Sequence, residues 1–227
     1  MPSLTQLLTS HDRLLVLDAA SLAVQAGLLR TDCTAMWRSS REEAGTGIFI
    51  NARSLLDAAG LGIGDIGAFV FCEGPGSMLG IRTIAMALRT WQVLAPRPCY
   101  SYQSLAVAGC CAWLQSPPRA FTVVADARRD CWHCQPVTSG GHLPPLQRLP
   151  AAALPDGDLV MPENFRTWAA LPRPSATCSY DLAQLMPAVG DRDLFHPVEL
   201  PEAFQADAPG YRKWSAQIHS TLTADRK

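Results

Sequence analysis

Residues 67–91 read GAFVFCEGPGSMLGIRTIAMALRTW, an apolar run that breaks into glycine and proline and then into helical spacing. An apolar run without alternation marks a strand covered on both faces, which places it in a sheet flanked by helices. Gly74, Pro75 and Gly76 turn the chain, Ser77 stands where a helix cap belongs, and Gly80 and Arg82 follow at once. Ile81, Ile84, Ala85 and Leu88 then recur on one stripe. This spacing predicts a helix over 77–93, and Met78, Met86 and Trp91 extend its apolar surface beyond one face. A glycine-rich loop opening a helix gathers unpaired N–H groups and the positive end of the helix dipole, as phosphate cradles do. A Walker-type cradle needs Lys and then Ser or Thr after the last glycine, and here Ile81 and Arg82 follow Gly80. Two readings remain: a tight corner that positions a helix, or that corner with an added anion or partner contact through Arg82.

The neighbouring segments build a sheet around this unit. LLVLDAA (14–20) is an apolar run ending in Asp18, SLAVQAGLL (21–29) returns as a hairpin would, and DCTAMWRSS (32–40) is a third strand. Ile48, Ala52, Leu55, Leu56 and Ala59 predict an amphipathic helix over 47–59, stopped by Gly60. SYQSLAVAGCCAWLQ (101–115) reads as a third helix. FTVVADARRDCWHCQPV (121–137) repeats the opening theme of strand, acidic end at Asp126, turn with Arg128, and returning strand. Two lobes built alike are therefore expected. The first, over 1–104, carries the GPGS turn and two helices. The second, over 105–227, is proline-rich, with a short strand at GDLVM (157–161) and a last helix over 179–189 placed to return to the first lobe.

Composition excludes several classes. With 19 Lys+Arg against 20 Asp+Glu, the net charge of -1 gives no field to hold the whole chain on nucleic acid or an anionic membrane. The start lacks a basic region before its apolar stretch, and the longest apolar run, 105–114, is too short to span a bilayer, so a soluble cytoplasmic protein is expected. Eight cysteines in such a chain are expected to stay reduced, Cys131 and Cys134 of the one CxxC included. Ser77 as a nucleophile would need a GxSxG elbow, and GPGSMLG lacks that spacing.

In order, a strand ending in LDAAS, a hairpin, an amphipathic helix, a strand, GPGSMLGIR at a strand-to-helix turn, and ADARRDCW resemble the TsaB (YeaZ) family of tRNA-modification proteins. Gly74, Pro75, Gly76, Ser77, Gly80 and Arg82 match the family's GPGSFTGLR loop, with Met78 and Leu79 in place of Phe-Thr. Asp126, Ala127 and Arg128 match a second motif, and Pro209, Tyr211 and Arg212 echo a third. The likeness covers 14–137 well and the remainder weakly.

The resemblance implies a two-lobed α/β fold of the actin-like ATPase kind, related to ribonuclease H, with mixed sheets flanked by helices. It implies a non-catalytic scaffold in the complex that makes N6-threonylcarbamoyladenosine in tRNA. The partners would be the catalytic subunit TsaD and the ATPase TsaE, with tRNA reached only through the complex, no membrane, and a homodimer as an alternative pairing. The partner face would hold Ile48, Ala52 and Leu55 of the first helix and Ile81, Ala85, Met86 and Arg89 of the second. ATP or ADP with Mg at a partner interface is the cofactor that the resemblance leaves room for. TsaD holds its metal with an HxxxH pair, and His11, His133, His142, His196 and His219 form none, so no metal site is expected here. Asp18, Asp126 and Arg128 either flank a nucleotide or metal cleft or serve as turn-forming groups. The chain departs from the family where Ala19 and Ala20 follow Asp18, removing hydroxyls that such folds aim at a phosphate, and where the first helix reads GTGIFINARSLLDAAG. A nucleotide-dependent enzyme of the same fold, or a paralogue with a drifted role, is the alternative.

Overall fold

Side chains alternate across a strand, so a strand buried on both faces feeds two cores. In β1 (Arg13–Asp18) Leu15 and Leu17 enter one core with Phe69 and Phe71 of β4 (Ala68–Gly74). Leu14 and Val16 enter the other with Ala68, Val70 and Cys72. The continuous apolar runs seen in the sequence are this double burial. The computed structural model describes residues 1–116 and 119–205, and the Pro209–Tyr211–Arg212 echo lies outside them.

β1 pairs antiparallel with β2 (Val24–Arg30), β2 antiparallel with β3 (Cys33–Ser40), and β4 and β5 (Cys99–Gln103) add in parallel on the far side of β1. α2 (Ala44–Ala59) and α3 (Met78–Leu94) cover one face of this sheet through Ile48, Ala52, Leu55, Ile84 and Leu88. The second lobe repeats the pattern. β6 (Phe121–Asp126) pairs antiparallel with β7 (Cys131–Val137), β7 with β8 (Gln147–Pro150), and β9 (Leu159–Pro162) and β10 (Ala176–Cys178) add in parallel beyond β6. The orders β5-β4-β1-β2-β3 and β10-β9-β6-β7-β8 are the same topology twice. The two-lobed mixed-sheet architecture expected from the sequence is present.

α4 (Ser104–Gln115) lies between the sheets, with Leu105, Val107, Ala108, Cys110 and Cys111 in one core with Val70 of β4 and Val123 and Ala125 of β6. A helix covered on opposite sides has no polar face to show, which is why LAVAGCCAWL carries no clear stripe. α5 (Leu182–Ala188) packs on α4 and β2, and β11 (His196–Val198) adds antiparallel to β5. The first sheet thus takes its edge strand from residues far beyond 105.

Several expectations are corrected. α1 (Leu4–His11) was not read as a helix, although its capping box was in the sequence: Ser3 accepts from the Gln6 amide, and Gln6 accepts from the Ser3 amide. Residues 101–103 belong to β5 and not to the third helix, because their backbone groups complete the parallel ladder with β4. Ile48, Ala52, Leu55, Ile81 and Ala85, expected to face a partner, are buried within the chain. The apolar side chains that these helices leave in solvent are Phe49, Ile50, Met78, Leu79, Met86, Val93 and Leu94. None of the eight cysteines is in a disulfide. Cys131 and Cys134, three apart on β7, fall on opposite faces and cannot share an ion, and burial pushes the Cys134 thiol up to about 11. No described helix is long and apolar enough to cross a membrane.

Leu105, fully buried at the start of α4, sets a test of the shared core. Leu105→Ala should cost about 2–5 kcal/mol in denaturant unfolding, while Leu114→Ala, on the exposed end of the same helix, should stay within about 0.5 kcal/mol.

Candidate functional site

The GPGS turn is a corner built on contact with the chain after β1. The Ser77 amide donates to the Ala20 carbonyl at 2.7 Å. A Cβ on Gly76 would run into that same carbonyl, and one on Gly80 into the carbonyl of Ala19. These glycines let α3 begin against the β1–β2 connection, and Gly74 supplies the turn with a φ of 117°. Ser77 occupies the cap position, but its side chain makes no capping bond, contrary to the sequence expectation. Ala19 and Ala20 are themselves buried in this contact, and their methyl groups serve as packing surface there.

Asp18 does not line a cleft. It is fully buried, its Oδ1 accepts from the Ala20 amide at 2.7 Å, and its Oδ2 accepts the hydroxyls of Tyr102 at 2.6 Å and Tyr180 at 2.7 Å. Gln25 fastens the same crossing, donating to the Tyr180 carbonyl and accepting from the Leu182 amide. Burial raises the Asp18 carboxyl above its ordinary 3.8, against the opposing hydrogen bonds of Tyr102, Ala20 and Tyr180. Burial likewise holds both phenols well above their ordinary range, so they stay protonated donors at neutral pH. The reading of Asp18 as a nucleotide or metal ligand is corrected: tyrosines hold the carboxylate that a ligand would need.

Asp126 and Arg128 do reach an opening. Asp126 Oδ1 accepts from the Arg128 amide at 2.6 Å, and Oδ2 accepts from the amides of Trp168 at 2.5 Å and Ala169 at 2.9 Å. Arg128, Arg129 and Asp130 all take positive φ in the β6–β7 turn, and the Arg128 guanidinium lies 4.7 Å from the Trp168 ring centroid. A cavity of about 250 Å³ lies between this hairpin and the start of α3, bounded by Ser77, Met78, Asp126, Arg128, Arg166 and Trp168. A second, of about 260 Å³, holds Glu73, Arg82, Arg148 and Phe204, and the two share Gly76, Met78, Ala127 and His133. The loop motif, Asp126, Arg128 and Arg82 thus converge between the lobes, whereas Asp18 stands apart.

Arg89 is engaged within the chain, its Nε donating to the Pro201 carbonyl and its Nη2 pairing with Glu202, each at 2.8 Å. Sequence reasoning missed Tyr102, Tyr180, Arg166, Trp168 and Phe204. The tyrosines lie 84 and 162 residues from Asp18, and no local pattern marks such pairs. Among the described residues, no three His, Cys, Asp or Glu side chains converge as a metal site would require.

No family model and no curated protein matches the sequence. Solved structures match its fold. An uncharacterised protein with similarity to peptidase YeaZ, from Pseudomonas aeruginosa, superposes with a TM-score of 0.61 at 20% identity, covering 78% of this chain and 89% of that one. YeaZ from Pseudomonas aeruginosa superposes with a TM-score of 0.60 at 21% identity, covering 78% and 88%. The chain has their fold, two lobes in which one sheet topology is duplicated.

Two outcomes test this site. Gly76→Val should cost about 1–3 kcal/mol, because backbone at Ala20 and not a flexible side chain blocks the added carbon; an unchanged melting temperature rejects the contact. For Asp18, a folded pKa above the unfolded one means that the folded chain holds the proton more tightly. That contribution is complete below the unfolded value and is lost as pH rises through the folded one. Between those two values, wild type should lose stability with rising pH relative to Asp18→Asn, which cannot titrate. Parallel pH courses for the two proteins in denaturant unfolding would show that Asp18 titrates normally.

Proposed function

We propose that this chain is a TsaB-like accessory subunit that docks on a TsaD-like catalytic protein through the outer surface of α2 and α3. It supports threonylcarbamoyl transfer to adenosine in tRNA without carrying out the transfer itself. One observation carries the reading. The two helices leave Phe49, Ile50, Met86 and Val93 exposed by 47%, 53%, 57% and 85%, and Phe49 and Ile50 border an apolar hollow of about 650 Å³ that Leu56, Leu61, Ile63 and Trp91 also line. Phe49 packs edge-on against Trp91 at 5.9 Å, giving the hollow a firm wall. Exposed apolar surface of this extent on adjacent helices is what a partner covers, and a second helix pair laid over it completes a four-helix bundle.

The loop motif and the fold likeness to YeaZ support the choice of partner. The tyrosine-held Asp18 supports a structural rather than a chemical role for this lobe junction. TsaE, tRNA, and ATP or ADP with Mg at the partner interface belong to the same proposal as properties of the assembly. A homodimer is the competing occupant of the face, by the same geometry and two-fold closure.

Co-expression with the TsaD-like protein of the same organism should yield a complex that elutes as one species. Ile50→Glu and Met86→Glu should each weaken it by about tenfold or more, with thermal unfolding unchanged because both side chains are exposed here. Binding by both variants at the parent's affinity moves the interface elsewhere, and failure of the parent to form any complex at micromolar concentration rejects the reading.

A further inference from the structure

Residues 199–205 follow β11. They cross the flank of α3, where Arg89 holds the Pro201 carbonyl through Nε and the Glu202 carboxylate through Nη2, each at 2.8 Å. The Phe204 amide then donates to the Glu73 carbonyl at 2.7 Å, beside the GPGS turn. The Phe204 ring stands 6.4 Å from the ring of His133 on β7, so this segment reaches from the first lobe to the second. Phe204 and Gln205 also form one wall of the cavity that contains Glu73, Arg82 and Arg148. That cavity shares Gly76, Met78, Ala127 and His133 with the one beside Asp126, so the two adjoin, and Phe204 borders the one that holds Arg82 and Arg148.

We propose that residues 199–205 are a strap that gates the inter-lobe cavity holding Glu73, Arg82 and Arg148, with Arg89 as its latch. The strap is suited to opening apart from the fold. Its ion pair is partly solvated, with the Arg89 and Glu202 side chains 33% and 63% exposed, and Phe204 and Ala203 are only half-buried. Contacts of this kind release well before the doubly buried strands do. The planar guanidinium fork meets a carbonyl and a carboxylate together, which fixes the strap in one place rather than merely attracting it. When the latch releases, Phe204 leaves the space between the turn and His133, and that cavity opens along the flank of α3. The gate stands on these contacts alone.

The test reads two sites in the intact protein: amide hydrogen exchange at Phe204, and modification of His133 by diethyl pyrocarbonate followed by mass spectrometry, with His11 and His142 as internal references. Arg89→Ala should raise both rates about tenfold while amides inside α3 keep their protection. Glu202→Ala, which removes only the exposed ion pair, should raise them about two- to fivefold. Phe204→Ala should raise His133 modification by itself, and adding Arg89→Ala should raise it no further, since both act through one strap. If Arg89→Ala does not fold, Glu202→Ala and Phe204→Ala decide. His133 modified at the parent's rate in the variants that fold overturns the proposal, as does a Phe204 amide indifferent to loss of the latch.

Discussion

A carboxylate taken out of water must be paired or neutralised, and Asp18 sits where that demand shapes the most structure. Its three donors come from the connection after β1, from β5, and from the segment entering α5. Satisfying one side chain therefore joins the centre of the first sheet to a segment more than 160 residues away in the chain. Gln25 repeats the clamp from β2 with two hydrogen bonds to the same crossing. In open α/β sheets, the carboxyl ends of strands are where ligands gather. Here that position binds the chain to itself.

The GPGS turn follows from the same junction. α3 can start only where its backbone nearly touches Ala19 and Ala20, and glycine at 76 and 80 removes the atoms that would forbid it. Fixing the start of α3 fixes its axis. Ile84 and Leu88 then meet the sheet, Arg89 faces the strap, and Met86 and Val93 remain outside. One helix thereby serves a core, a latch and an unpartnered surface, which explains apolar residues around more of its circumference than a single stripe requires. α4 reaches a similar composition by another route, with a sheet on each of two sides.

The likeness to YeaZ structures establishes the fold, and the details of this chain give that fold a particular character. The two aspartates at equivalent strand ends stand in different surroundings. Asp18 is sealed behind phenols, whereas Asp126 organises a turn at the edge of an open cavity by fixing the amides of Arg128, Trp168 and Ala169. The lobe junction is closed around Asp18 and open beside Asp126.

The sequence by itself determined β1 to β4, β6, β7 and β9, the two hairpins, the likeness of the two lobes and the place of the GPGS turn, while β5 was read as helix and β8, β10 and β11 were not legible. Each legible feature is a local property: an apolar run at 68–72, a helical stripe at 81, 84, 85 and 88, or a glycine where a turn demands it. It left open which way each helical stripe faces. The spacing of Ile48, Ala52 and Leu55 marks an apolar face without saying whether a sheet or a partner covers it, and only the packed structure put the sheet there. The tyrosines on Asp18, the stacking of Arg128 on Trp168, and the strap across α3 were decided by tertiary structure alone. Their residues lie tens to more than a hundred positions apart, and hydrogen bonds over such separations exist only after the sheets and helices have brought the chain back to itself.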